Sequence, residues 1–241
     1  MTCPPDPGRR AFLSAIPVLT AGIAAPARAA DTRSPHWGML VDTRRCIACQ
    51  ACTMACAMEN ATPEGAFRTV VATYAVTTAE GATGLSIVPR LCNHCEKPPC
   101  VEVCPVGATF KREDGAVLVD GDRCVGCAYC VQACPYDARF VNHETGKADK
   151  CTFCSHRVEA GLLPACVETC VGGARIFGDL HNPESEISKR LKEAGNAVSV
   201  LKPEANTRPN VFYIGLDAAL AGRVDGVSAA DMMWRPDHQG G

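Results

Sequence analysis

Sixteen of the seventeen cysteines fall into four groups of four, and no other feature of the chain limits its fold as tightly. The first group is Cys46-x2-Cys49-x2-Cys52-x3-Cys56 and the second is Cys92-x2-Cys95-x4-Cys100-x3-Cys104-Pro105. The third is Cys124-x2-Cys127-x2-Cys130-x3-Cys134-Pro135 and the fourth Cys151-x2-Cys154-x11-Cys166-x3-Cys170. Such a repeat is read before any single element, because it names the unit that the fold multiplies. Aromatics make up only 5% of the residues, so apolar burial alone leaves a thin core. Metal ligation can supply the missing folding free energy.

The spacing says which metal. Three thiols at x2 spacing, a fourth at x3 and then a proline form the bacterial run for iron-sulfur cubanes, in which the fourth thiolate reaches the neighbouring cluster. The third group matches this run through Pro135, the first has Ala57 in place of the proline, and the second widens one gap to four residues. Structural zinc takes two separated pairs, which leaves the fourth group as its only tenable site. Disulfides suit an exported chain, but not one that folds around clusters before export. If the second and third groups trade fourth ligands, Cys92, Cys95, Cys100 and Cys134 hold one cluster, and Cys104, Cys124, Cys127 and Cys130 the next. By the same logic Cys46, Cys49, Cys52 and Cys170 hold a third, and Cys56, Cys151, Cys154 and Cys166 the last. The expectation is four [4Fe-4S] clusters in one small body, close enough for electrons to pass along a row.

The fold class expected is α+β: two interleaved bacterial ferredoxin-like modules, each for two [4Fe-4S] clusters, with a short β-hairpin insertion and a C-terminal extension. Residues 30–91 with 135–180 make the outer module, 92–134 the inner one, and 181–241 the extension and docking tail. Alternating β-branched residues over 67–76 and 85–88, about a Gly-rich turn at 81–84, read as the hairpin. Strands are expected at 117–119, 139–141, 198–201 and 211–216. A helix is expected over 184–194, with Ile187 and Leu191 on its apolar side. After each cysteine triplet a short helix is expected to carry the fourth thiol.

The formal charge of −2 offers no basic footprint for nucleic acid. Arg9 and Arg10 precede an apolar stretch over 12–25 and a small-x-small site at 27–29, the pattern of a twin-arginine signal peptide over residues 1–29. Folded export suits clusters inserted beforehand, and Cys3 would leave with the signal. No other window is apolar for 18 residues, so no membrane span is expected. Arg44, Arg45, Lys97, Arg123 and Arg139 lie near cysteines in sequence, where positive charge raises a cluster's potential. His94, His143 and His156 read as structural or surface residues, and Tyr129, Phe110, Phe140 and Phe153 as shields against water. No Ser/His/Asp set, Walker loop or dinucleotide fingerprint accompanies the cysteines, so no catalytic residue is assigned.

These groups resemble the four-cluster electron-transfer subunits of the molybdopterin oxidoreductases, which include dimethyl sulfoxide, polysulfide and formate enzymes. Residues 37–46 (WGMLVDTRRC), 59–69 (ENATPEGAFRT), 90–95 (RLCNHC), 136–145 (YDARFVNHET) and 211–217 (VFYIGLD) look closest to the tetrathionate-reducing branch of that family. The resemblance implies a periplasmic three-part complex. A membrane subunit oxidises quinol, this subunit passes the electrons on, and a molybdopterin catalytic subunit reduces tetrathionate to thiosulfate. It also implies that the Cys46, Cys49, Cys52, Cys170 cluster lies nearest the molybdenum and the Cys104, Cys124, Cys127, Cys130 cluster nearest the membrane. Some relatives lose a third-group ligand and hold a three-iron cluster, whereas this chain keeps Cys127. Another acceptor, such as polysulfide, nitrite, dimethyl sulfoxide or an arsenic oxyanion, or a free-standing soluble ferredoxin, stays open as an alternative.

Overall fold

The Trp37–Asp42 segment has no alternation of apolar and polar residues, and the structure shows why: Met39, Leu40 and Val41 are fully buried in a strand flanked on both sides. A strand covered on both faces reads as a continuous apolar run. The structure is a computed structural model and describes residues 33–77 and 83–216. The signal segment, Cys3, most of the hairpin tip and the tail from 217 onward lie outside the described residues. The described residues belong to one compact unit of α+β type.

Strand β1 (Trp37–Asp42) is the hub of a four-stranded sheet. The hairpin follows as β2 (Thr69–Thr77) and β3 (Thr83–Leu91), antiparallel from Thr69 opposite Leu91 to Thr77 opposite Thr83. Two short antiparallel pairs come next: β4 (Thr109–Lys111) with β5 (Val117–Val119), and β6 (Arg139–Val141) with β7 (Ala148–Lys150). Strands β8 (Arg175–Asp179), β9 (Val198–Ser199) and β10 (Val211–Ile214) complete the main sheet in the order β8-β1-β10-β9. β1 runs antiparallel to β8, with Met39 opposite Phe177, and parallel to β10, with Met39 opposite Val211. The hairpin is tied to this sheet where the buried Tyr213 hydroxyl donates to the Pro89 carbonyl at 3.0 Å.

The hairpin and strands β5 and β6 match the sequence expectation, while β1, β4, β7 and β8 were not foreseen. The strand expected over 198–201 stops at Ser199, because Lys202 turns into a left-handed backbone (φ 46°) ahead of Pro203. The strand expected over 211–216 ends at Ile214, because Gly215 takes φ 75° and a Cβ there would meet Arg44 Cγ at 2.5 Å. The helix expected from residue 184 starts at Glu186, since Ser185 Oγ caps it by accepting from Ser188 N at 3.2 Å. Its Ile187 is fully buried and packs with Leu40 and Ile214 on one side of the sheet.

The short helices correct one expectation. Only α1 (Ala51–Glu59) carries the fourth cysteine of its group, Cys56. In α2 (Pro99–Glu102), α3 (Tyr129–Gln132) and α5 (Ala165–Glu168) the helix carries the third thiol, Cys100, Cys130 or Cys166. The fourth thiol follows the helix C-cap in each. The reason is local: Pro105 and Pro135 disfavour a helical residue just before them, and Gly172-Gly173 follow Cys170. Ala57 imposes no such stop, so α1 runs on to Glu59. The remaining helices are α4 (Ser155–Glu159) and α6 (Glu186–Ala194).

Candidate metal centres

In every cysteine group the residue before the second thiol has a left-handed backbone: Ala48 (φ 56°), His94 (42°), Gly126 (72°) and Phe153 (55°). The three that are not glycine each cost about 1–3 kcal/mol, which the surrounding packing must offset. Gly126 has no alternative, since a Cβ there would lie 2.2 Å from the Gly146 carbonyl oxygen. The conformation aims N–H groups at sulfur. Phe153 N donates to Cys151 Sγ at 3.4 Å, and Ala48 N–H lowers the Cys46 thiol against the effect of burial. His94 and Phe153 stack on one another with ring centroids 3.6 Å apart, so the loops of the second and fourth groups buttress each other. Burial, with Lys150 and Arg139 nearby, holds His94 well below the ordinary histidine value, and its Nδ1 accepts from Val117 N at 3.0 Å.

The structure brings the thiols together across groups. Cys92, Cys95, Cys100 and Cys134 line one cavity, with Arg139 and Tyr136. Cys56 and Cys151 each feel Cys166, Cys56 also feels Cys154, and Asn60 Nδ2 reaches Cys56 Sγ at 3.5 Å and Cys154 Sγ at 3.8 Å. Cys46 lies close to Cys52 and Cys170. Cys104 packs against the apolar cluster that contains Cys124, Cys130 and Cys100. The sets also abut in a fixed order, since Cys166 feels Cys52, Cys151 feels Cys92, and Cys100 packs with Cys124 and Cys130. Ten of the sixteen thiols are buried, and the two exposed ones are Cys49 and Cys127.

The donor set suits iron-sulfur clusters. Beyond Phe153, Thr109 N donates to Cys104 Sγ (3.5 Å), Ala148 N to Cys124 Sγ (3.4 Å), Ala174 N to Cys170 Sγ (3.2 Å) and Arg139 Nη2 to Cys100 Sγ (3.0 Å). Donors on sulfur stabilise the thiolate and tune a cluster's potential. Burial pushes Cys56 and Cys95 up to about 12, and Cys100 and Cys166 up to about 11, so ligation at neutral pH displaces protons.

Of the five cations singled out in the sequence, only Arg139 is buried against a thiol. Arg44 pairs with Asp42 and Arg123 with Asp120 at the surface, and Arg45 and Lys97 are exposed. Of the aromatic shields only Phe153 is buried; Tyr129 and Phe110 are exposed and Phe140 half-buried. His156 bonds Glu59 at 2.8 Å, and His143 is exposed. Asn60, Lys150 and Arg175 were missed. A signal for Arg175 was present: both Arg139 and Arg175 stand five residues after the fourth cysteine of their group and open the next strand.

Buried thiols gathered across groups, with N–H donors on the sulfurs, define a protein of the iron-sulfur ferredoxin type. The 4Fe-4S dicluster domain family matches residues 45–108 and again residues 83–180. A tetrathionate reductase subunit of Salmonella typhimurium is 58% identical over 89% of this chain and 90% of the relative. The tetrathionate reductase subunit of the same name from Archaeoglobus fulgidus is 45% identical (73% and 81% covered). The thiosulfate reductase electron transfer subunit of Salmonella typhi is 50% identical (63% and 79%). The chain belongs to the iron-sulfur, electron-transfer subunits of the molybdopterin oxidoreductases.

Proposed function

We propose that the sixteen cysteines hold four [4Fe-4S] clusters in two interleaved modules. The chain then carries electrons from a quinol-oxidising membrane subunit to a molybdopterin catalytic subunit that reduces tetrathionate to thiosulfate. The observation that carries this reading is the ordered contact of the four thiol sets, with an exposed cysteine at either end. The ligand sets are Cys46, Cys49, Cys52 and Cys170; Cys56, Cys151, Cys154 and Cys166; Cys92, Cys95, Cys100 and Cys134; and Cys104, Cys124, Cys127 and Cys130. When bound, the clusters supply one-electron relay.

The chain's own residues bury the two middle sets and leave the ends open. Ile47 and Val171 flank Cys49 and Cys170, and Val125 and Tyr129 flank Cys127, all with more than half of their surface exposed. Apolar residues around an exposed ligand suit a partner at each end. The first end faces the catalytic subunit and the second the membrane subunit. Among the described residues no helix is long and apolar enough to cross a membrane, so attachment runs through that partner. Arg9 and Arg10 ahead of the apolar stretch 12–25 support export of the folded chain to the periplasm by the twin-arginine route. The 58% identical relative supports tetrathionate as the acceptor.

The test is anaerobic purification of the complex from native membranes. The expected result is about sixteen irons per chain and tetrathionate-dependent oxidation of a reduced dye. About eight irons would refute the cluster count, and oxidation by polysulfide or arsenate but not by tetrathionate would refute the acceptor.

A further inference from the structure

Four cations are buried among the described residues: Arg90, Arg139, Lys150 and Arg175. Arg90 donates to the Tyr136 carbonyl. Each of the other three stands where two thiol sets meet. Arg175 is buried against Met39, which shares an apolar cluster with Cys52 of the first set and Cys166 of the second, and both thiols act on its charge. Lys150 Nζ donates to the carbonyl of Cys151, in the second set, at 2.6 Å. It also donates to the carbonyl of Val117, which lines the cavity of the third set, and Cys92 and Cys100 of that set act on its charge. Arg139 Nη2 donates to Cys100 of the third set at 3.0 Å and lies near Cys130 of the fourth. There are three junctions and one cation at each.

None of the three forms an ion pair with Asp or Glu among the described residues, although the less buried Arg44, Arg68 and Arg157 do. Their other partners are neutral: Thr109 for Arg139, and Thr69 and Met39 for Arg175. A buried cation without a counter-charge is strongly unfavourable. Among the described residues the anions these sites can meet are thiolates, and the thiols become thiolates on binding iron. Cation and cluster therefore stabilise each other, and the benefit grows with each electron added, because reduction makes the cluster more negative. A charge at the junction acts on both neighbours and screens their mutual repulsion when both are reduced.

We propose that Arg175, Lys150 and Arg139 are positioning residues, one fixed positive charge per junction, each raising the reduction potentials of the two clusters beside it. The inference rests on the cluster assignment above. The strand pairing holds the cations in place: Arg175 and Arg139 open β8 and β6, and Lys150 closes β7 opposite Arg139.

The test is redox titration of the anaerobically purified complex, followed by electron paramagnetic resonance, for the parent and for Arg175→Gln, Lys150→Gln and Arg139→Gln, with Arg175→Lys, Lys150→Arg and Arg139→Lys as charge-preserving controls. The parent must first show four cluster signals; fewer would refute the cluster assignment itself. Each glutamine variant is expected to keep its iron and to shift two signals toward the oxidised form by at least about tenfold, which for a one-electron couple is about 59 mV downward. Arg175→Gln and Arg139→Gln should move different pairs, and the charge-preserving variants should restore most of each shift. Unchanged potentials at full iron content, or one equal shift of all four signals, would overturn the inference. So would loss of iron in all three glutamine variants, because the cations would then serve folding alone.

Discussion

Replacing Ala57 by proline would give the first cysteine group the residue that the second and third groups already have, and the structure predicts that the chain will not tolerate it. Pro105 and Pro135 stand beyond helices that have already ended, whereas Ala57 lies inside α1, which continues to Glu59. The substitution removes the bond from residue 57 one turn back to Thr53 and drives the ring into that carbonyl, at a cost of about 3 kcal/mol. That corresponds to roughly a hundredfold increase in local opening. What opens matters for the metal: Cys56 precedes the break, and Asn60, whose amide reaches both Cys56 and Cys154, follows it. The Thr62 N–H bond to the Ala57 carbonyl goes with it. Hydrogen exchange at amides 58–62 of the purified complex should accelerate roughly a hundredfold, and a chelator should strip one cluster well before the others. Pro135→Ala, the converse change, should leave exchange and iron release near the parent. Unaltered exchange at 58–62 in the Ala57→Pro complex would refute the argument that α1 owes its length to the missing proline.

Asn60→Leu keeps the helix but removes the donor shared by Cys56 and Cys154, and should lower iron retention at that set by about 10–100-fold in a chelator challenge. Cys151→Ser should yield complex with roughly four irons fewer per chain, the other three cluster signals persisting. Ile187→Ala, in the apolar cluster that contains no thiol, should cost about 2–5 kcal/mol in stability while leaving every midpoint potential in place. A potential that moved in the Ile187 variant would show that the outer face of the sheet is coupled to the metal centres.

The cysteine spacing made the four groups of thiols legible, because iron-sulfur motifs are governed by short-range separations that survive in a one-dimensional text. The hairpin was legible for the same reason, through the alternation of Val70, Ala72 and Tyr74 with their neighbours. What escaped depends on distance along the chain. β1 joins β8 and β10 from far apart in sequence, and its burial on both faces erases the alternation that marks a strand. Lys150 looks like a solvated charge beside Asp149 until the fold places its ammonium between Cys151 and Val117. The left-handed backbone at Ala48, His94 and Phe153 was invisible because none of those residue types announces it; the loops impose it. Arg44 and Arg123 misled in the opposite direction, since nearness to a cysteine in sequence does not turn a side chain inward.

The parallel pairing of β1 with β10 has a consequence for biogenesis. β10 is the last strand among the described residues, and it completes the wall beside the first one. On the ribosome, β1 has to wait for β10, which follows even β8 in the chain, before its second neighbour arrives. Until then Met39 and Val41, which pack among Cys52, Cys92 and Cys166, keep one flank uncovered. The interior beside these thiols is therefore walled in only when β10 docks, so closure of the sheet and enclosure of the thiols are one event.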